Sequence, residues 1–421
     1  MQIVAVVVFV VAMVAIMSEK VHRALVAIVG AMILLVVHVV TFDQAMSHVD
    51  FNTLGVLLGM MLFVAVVKLS GIFEYLAIKC ARLAKGNPWH VMVLFVCLTA
   101  VLSALLDNVT TVLLIGPMTI TVCRLLDIDA VPFFLAEIMA SNIGGTATLI
   151  GDPPNIMIGS AAGYSFVDFV VYDTPAALLS LAVMLALFYL LFGRKLHVDD
   201  AHKDALAGLD EREQIKNPIL LRQSVVMIVL VIVGFMAHGS LGIESCVVAL
   251  TAAGVLMLIS GERIEEALAH VEWTTLVFFA GLFIIVGALS EVGVIGMLAQ
   301  ALIDVTGGST FVAMLVLLFA SAIISSFLDN IPFVATMIPI LLSMEATGMD
   351  VAPLWWAVSL GACLGGNGTL IGASANVVMS DISRKNGHVI TFAHFFKVGF
   401  PTMLATVAVS AIYLIVRFPP M

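Results

Sequence analysis

The sequence predicts an all-α polytopic membrane protein, an inverted-topology internal repeat with about 10 spanning helices, two re-entrant hairpins and two broken helices. Three observations predict it. The chain of 421 residues is 62% hydrophobic and 11% charged, with runs such as LLSLAVMLALFYLLF at 178–192 that approach the length of a bilayer core. Its polar signatures occur twice, in the same order, at nearly one offset. Its Lys and Arg residues fall almost entirely on one side of the expected topology.

Taken in order, the spanning candidates of the first half are residues 2–17, 22–40, 52–68, 131–162 with an interruption, and 175–193. The run 2–17 lacks a basic region before it and a small-residue cleavage site after it, so a first spanning helix is expected there rather than a signal peptide. Segments 89–105 and 109–125 flank a turn, LDNV. A hydrophilic stretch at 193–223 divides the chain and reads as a charged linker.

The second half repeats the first. QAMSHVDFNTL (44–54) aligns with EALAHVEWTTL (266–276), SALLDNVTT (103–111) with SSFLDNIPF (325–333), and GGTATLIGDPPN (144–155) with GGNGTLIGASAN (365–376). The duplicated units are about 1–193 and 222–416.

A re-entrant hairpin at 89–125 gives each copy five crossings, and an odd number inverts the second copy. Every Lys and Arg except Arg417 then falls on one side, which should be cytoplasmic. Six crossings per copy would scatter these charges. The linker 194–222 is therefore expected in the cytoplasm of a plasma (inner) membrane, with both termini outside it. The first hairpin would enter from the cytoplasm and the second from outside, their tips meeting near the midplane.

The net charge of −10 argues against nucleic acid as a partner. Cys80, Cys97, Cys123, Cys246 and Cys363 lack ligand spacing and are expected to be packing residues. No nucleophile–base constellation is visible, so an enzyme is disfavoured. No cofactor is expected beyond coupling ions, H+ or Na+.

Non-helical backbone at membrane depth survives only where protein or a water-filled cavity satisfies it. Two hairpin tips and two interrupted helices are expected to converge on such a cavity, the pattern by which transporters bind small ions. Asp107 and Asp329 lead the candidates, because a carboxylate in hydrocarbon is costly and neither has a basic neighbour in sequence. Asn108, Asn330, Thr110 and Thr111 would add oxygen ligands, with a sodium ion expected near Asp107/Asn108 and Asp329/Asn330. Asp152, opposite Ala373 in the second copy, is a coupling or substrate-facing acid or else a helix cap. Glu137, opposite Val358, is a lesser candidate. Ser141, Asn142, Thr146, Thr148, Asn155, Asn367, Thr369 and Asn376 would form the polar lining. Gly144, Gly145, Gly365 and Gly366 would permit unwinding and close approach. Pro117 and Pro339 read as helix-shape residues, and His48 and His270, beside Asp50 and Glu272, as helix-end hydrogen bonders.

The pair LLDNVTTVLLIGPMTI and SNIGGTATLIGDPPN, repeated as FLDNIPFVATMIPI and GGNGTLIGASAN, resembles the ArsB/NhaD group of the ion transporter superfamily. This group includes arsenite permeases, sodium/proton antiporters and relatives of the melanosomal P protein, and is distantly similar to citrate and dicarboxylate carriers. The resemblance covers essentially the whole chain and implies a homodimer working by an elevator-like shift. On that basis 1–88 and 223–308 would be scaffold, and 89–193 and 309–421 the transport parts, joined by the linker 194–222. A separate ATPase subunit stays open as a partner.

None of the proposed lining segments contains Lys or Arg, so a small cation or a neutral metalloid is expected to fit better than a polyanion. The expected function is secondary active transport, as proton-coupled cation or arsenite efflux, with sodium-coupled citrate or dicarboxylate carriage as the alternative. Asp107 and Asp329 would couple movement to occupancy by losing and regaining a proton or cation.

Overall fold

The computed structural model describes residues 1–18, 20–198, 208, 210–261 and 263–420. The remainder of the linker, 199–207 and 209, lies outside the described residues. The first half contributes α1 (Gln2–Met17), α2 (Arg23–Val36), α3 (Phe42–Ser47), α4 (Phe51–Lys68), α5 (Ile72–Leu83), α6 (Pro88–Leu105), α7 (Asn108–Leu125), α8 (Val131–Thr146), α9 (Pro153–Ala162) and α10 (Phe166–Phe188). The second contributes α11 (Pro218–Leu241), α12 (Ser245–Ser260), α13 (Ile264–Ala269), α14 (Trp273–Glu291), α15 (Val294–Val305), α16 (Thr310–Phe327), α17 (Asn330–Ala346), α18 (Ala352–Gly365), α19 (Ser374–Lys385) and α20 (Phe392–Arg417).

Each helix of the first set has a counterpart at the same place in the second, of similar length except that α11 (24 residues) outruns α1 (16 residues). The punctuation also repeats. Gly71 (φ 82°) and Gly293 (φ 79°) hold the left-handed turn that leads into α5 and α15, a conformation a side chain would strain. Pro132 and Pro353 sit in the first turns of α8 and α18, where a missing N–H costs nothing.

Packing follows the same symmetry. α6 lies on α8 as α16 lies on α18, and α1 on α2 as α11 on α12. Other pairs cross between halves: α4 packs on α12 and α14 on α2, while α7 meets α19 and α17 meets α9. α10 and α20 pair with each other. The α4–α12 crossing is close because Gly59 faces Ala249, whose carbonyl carbon would lie 2.6 Å from an added Cβ. Gly281 and Ala27 do the same for α14 and α2, at 2.7 Å. Small residues let two backbones approach where no hydrophobic force between helices is available.

Eight of the described helices or helical stretches, Phe51–Lys68, Pro88–Leu105, Asn108–Leu125, Phe166–Gly193, Pro218–Leu241, Trp273–Glu291, Thr310–Phe327 and Phe392–Arg417, are long and apolar enough to cross a membrane. The chain is thus an all-α polytopic membrane protein with internal pseudo-symmetry. α10 begins well before residue 175, the start expected from hydropathy. Ser165 and Asp168 form a capping box there, and Pro175 is carried inside the helix. The end of the linker docks on α5: the Lys216 backbone N–H donates to the Ser70 carbonyl at 3.1 Å, its ammonium meets Glu74 at 2.9 Å, and Arg82 pairs with Glu211.

Candidate functional site

Both LDN turns cap the helix that follows them. Asp107 accepts the Thr110 backbone N–H at 2.8 Å and the Thr110 hydroxyl at 2.5 Å, and Asp329 accepts the Ile331 N–H at 3.2 Å. Each first turn therefore has an anionic acceptor for N–H groups that would otherwise face an apolar medium. Thr111 returns its hydroxyl to the Asp107 carbonyl at 2.9 Å.

The interrupted helices break between Thr146 and Pro153 and between Gly365 and Ser374. Their freed carbonyls are collected by equivalent amides. Asn155 Nδ2 donates to the carbonyls of Gly145, Thr146 and Thr148 at 3.4, 3.1 and 3.0 Å. Asn376 Nδ2 donates to those of Gly366 and Thr369 at 2.7 and 2.9 Å. Thr148 and Thr369 tie these breaks to the ends of the preceding hairpin helices, donating to the carbonyls of Ala104 and Ser326. Ser141 and Thr146 bond backbone carbonyls one turn back, of Ile138 and Asn142.

Gly144 and Gly145 remain inside α8, and Gly365 ends α18, so unwinding begins after the first pair. Their role is close approach. A Cβ at Gly144 would stand 2.2 Å from the Ala100 carbonyl oxygen, one at Gly365 2.6 Å from that of Ala322, and one at Gly145 2.7 Å from that of Gly151. At Gly366 the nearest atom would be the Ala373 Cβ at 3.1 Å.

One amide joins these elements. Asn142 accepts from Asn108 Nδ2 at 3.3 Å and donates to Asn367 Oδ1 at 2.9 Å and Asn376 Oδ1 at 3.0 Å. It thereby links the first hairpin and first broken helix to the second broken helix. Asp152, 1% exposed, makes no cap bond to α9; it accepts from Asn330 Nδ2 at 3.1 and 3.3 Å. It lies within electrostatic range of both Asp329 and Asp107. Its carboxylate thus bridges the first broken helix and the second hairpin.

A basic side chain does face this region, from outside the segments expected to line it. Arg23, at the start of α2, places Nη1 3.0 Å from Asp329 Oδ2 and 2.7 Å from Ser374 Oγ, with Nη2 3.4 Å from Thr275 Oγ1. Its guanidinium also lies 5.2 Å from the centre of the Phe278 ring. Ser374 completes the set, donating to Asp329 at 3.1 Å. Arg23 and Asp329 line a cavity of about 290 Å³ with Phe327, Ala373, Ser374 and Val378. The partner is 306 residues from Asp329, so a search of the neighbouring sequence could not find it. Glu272, which accepts from Thr275 at 3.0 Å, lies within range of Asp107 and Arg23.

Asp107 forms no ion pair among the described residues; the position equivalent to Arg23 is Ser245, which donates to Asn52 at 3.2 Å. On that side Asp50 caps α4 and accepts Ser160 Oγ at 3.0 Å. His48 pairs with Glu291 at 3.0 Å rather than with Asp50, and His270 bonds the Glu266 carbonyl at 2.9 Å. Pro117 and Pro339 lie inside α7 and α17.

Two buried acids lie away from the cavity. Glu137 accepts the Thr119 hydroxyl at 2.5 Å, and its other oxygen has no partner among the described residues. Asp173, absent from the sequence reading, is fully buried with Oδ2 2.6 Å from Ser359 Oγ, and its Oδ1 has no partner among the described residues. Its signal was a lone acid inside the apolar run FVVYDTPAALL, where no second copy drew attention to it.

A citrate transporter family profile matches residues 13–361. The chain is 45% identical to an uncharacterized transporter of Mycobacterium tuberculosis over 99% of each chain, and 42% identical to the 46 kDa membrane protein of Mycobacterium leprae over the same share. It is 34% identical to the human P protein, covering 95% of this chain and 58% of that one. Its fold is similar to the YdaH transporter of Alcanivorax borkumensis, with a TM-score of 0.61 at 16% identity over 88% of this chain and 86% of that one. The chain is a membrane-embedded secondary transporter of ions or solutes, and it belongs to the citrate transporter family.

Proposed function

We propose that the protein carries a small carboxylate of the citrate or dicarboxylate class, coupled to H+ or Na+. The observation that carries this reading is Arg23, which presents a guanidinium inside the cavity, held by Asp329, Ser374 and Thr275. Planar bidentate donors recognise carboxylates, and an entering carboxylate would compete with Asp329 for Arg23. The family's description supports the same substrate class. A cation near Asp107/Asn108 or Asp329/Asn330 would offset the remaining negative charge.

In this reading the helices around α2, α4, α12 and α14 form a scaffold, and the hairpins and broken helices form the moving part of an elevator. The hairpins are re-entrant and the repeats inverted, with the basic residues cytoplasmic and both termini outside a plasma membrane. The working unit is a homodimer.

The test is citrate uptake into proteoliposomes by wild type and Arg23→Gln. Losing a hydrogen bond to a charged group, about 1.5–3 kcal/mol, should raise the citrate KM about tenfold to a hundredfold. Unchanged citrate uptake in the variant would remove Arg23 from recognition. The excess of acids, Asp107, Asp152 and Asp329 against one guanidinium, favours a second reading as proton-coupled cation or arsenite efflux. Discharge of a pH gradient by sodium or lithium, or arsenite movement, without citrate flux would establish that one instead.

A further inference from the structure

Asp173 presents a counting problem. Ser359 Oγ lies 2.7 Å from Asn155 Oδ1 and 2.6 Å from Asp173 Oδ2, both hydrogen-bond distances. A serine carries one hydroxyl proton and can donate to only one of them. Asn155 cannot supply the second, because its Nδ2 faces the carbonyls of Gly145, Thr146 and Thr148, which fixes Oδ1 toward Ser359 as an acceptor. The second proton must then belong to Asp173. The surroundings agree: Asp173 is fully buried, its Oδ1 has no partner, and no ion pair reaches it among the described residues. An ionised carboxylate there would be uncompensated.

Cys363 of α18 and Tyr413 of α20 lie within electrostatic range of it. On α10 itself, Tyr172 carries the Arg417 guanidinium 4.7 Å from its ring centre. Glu137 of α8 is directed to Thr119, and His238 of α11 to the Phe166 N–H at the start of α10. Cys363 continues the chain of contacts. Its thiol lies 3.6 Å from Asn155 Oδ1. A path therefore runs from Asp173 through Ser359 to Asn155, whose Nδ2 gathers the carbonyls of the first helix break and whose backbone N–H donates to the Asp152 carbonyl at 3.0 Å.

We propose that Asp173 is a proton-binding site of the transport cycle, occupied in this structure and read by the first helix break, where Asp152 lies, through the Ser359–Asn155 contacts. On release, the Asp173 O–H bond breaks and the proton passes to water. The Ser359 hydroxyl then turns from Asn155 to the new carboxylate. Asn155 Oδ1 is left to the Cys363 thiol, and the amide that gathers the carbonyls of the first helix break beside Asp152 loses its stronger donor. Rebinding of the proton reverses each rotation. No other bond changes. The placement on α10, outside the hairpins, lets proton occupancy alter the central site without the proton and substrate sharing a position.

The role in transport rests on the carboxylate reading above, whereas the protonation state does not, and the experiment separates them. Infrared difference spectra of wild type and Asp173→Asn in liposomes should show a protonated-carboxyl C=O band that the variant lacks. Absence of that difference at every pH from 5 to 9 overturns the assignment, whatever the substrate. Asn can donate to Ser359 as the neutral acid does, so the fold should persist. With citrate as probe, Asp173→Asn should keep citrate–citrate exchange within twofold and lose proton-driven accumulation at least tenfold. Ser359→Ala should retain the band, shifted, and also lose accumulation. Normal proton-driven accumulation in Asp173→Asn would make the residue a structural neutral acid and overturn the cycle role. If wild type moves no citrate, the carboxylate reading fails while the band still decides whether Asp173 holds a proton.

Discussion

Replacing Asn142 with Ala tests whether that amide is the hub joining the first hairpin and the two broken helices. The side chain makes bonds of 3.3, 2.9 and 3.0 Å to Asn108, Asn367 and Asn376. Asn376 Oδ1 has no other donor among the described residues, and both Asn367 and Asn376 are 0% exposed. Each buried polar group left unsatisfied costs about 1–3 kcal/mol, so the loss of two acceptors' partners gives about 2–6 kcal/mol. A water entering the vacated volume would recover part, which places the expected destabilisation at about 2–4 kcal/mol. The assay is thermal unfolding in detergent, run as a cycle with Asn376→Ala. Contacting residues should show a coupling of about 1 kcal/mol or more, so the double variant should be less destabilised than the two singles summed. An unchanged Tm in Asn142→Ala, or strict additivity, would refute the hub and reduce Asn142 to one polar residue among several.

The remaining predictions concern backbone approach and the far side of the fold. Gly144→Ala would press a methyl group into the Ala100 backbone and should cost about 1–3 kcal/mol or more as α6 and α8 separate. Gly254→Ala, in α12 with nothing within 4 Å, should be neutral or stabilising by up to about 1 kcal/mol; equal Tm losses in the pair would refute the packing argument. Ser160→Ala removes contacts to Asp50 at 3.0 Å and Asn52 at 3.2 Å that join α9 to α4. It should lower Tm by no more than a few degrees while changing the rate of citrate exchange, and an unaltered rate would exclude this contact from any moving boundary.

What the sequence made legible was whatever occurs twice. The LDN turns, the GG-TLIG breaks and the asparagines after them could be aligned with each other, and each copy served as a control for its partner. The breaks fall after Thr146 and Gly365, close to the glycines expected to mark them. Contacts between distant segments were not legible. Arg23 stands at a helix start among other basic residues near a membrane face, and nothing in its neighbourhood points to Asp329. Asp173 failed for the opposite reason: it is a single acid with no repeated motif around it. The position of α10's start was hidden by Asp168, Tyr172 and Pro175, which lower local hydropathy although the capping box at Ser165 holds the helix.

The repeat also shows where function must be sought. Pseudo-symmetric packing is satisfied by residues that match, such as Gly59 with Gly281 and Asn155 with Asn376. Departures from the match need a different reason. Asp152 has Ala373 as counterpart, Arg23 has Ser245, Glu137 has Val358, and Asn142 has Cys363. At the last pair the contact survives the exchange, since Asn142 donates to Asn376 and Cys363 approaches Asn155. At the other three a charged or titratable group is present in only one half. Inverted repeats would let an outward and an inward arrangement exchange roles, and identical charges in both halves would leave ion binding indifferent to that exchange. A ligand shifts an equilibrium only by its differential affinity for the two states. Unequal placement of Arg23, Asp152 and Glu137 would supply that difference, so the asymmetric residues are where coupling should be measured first.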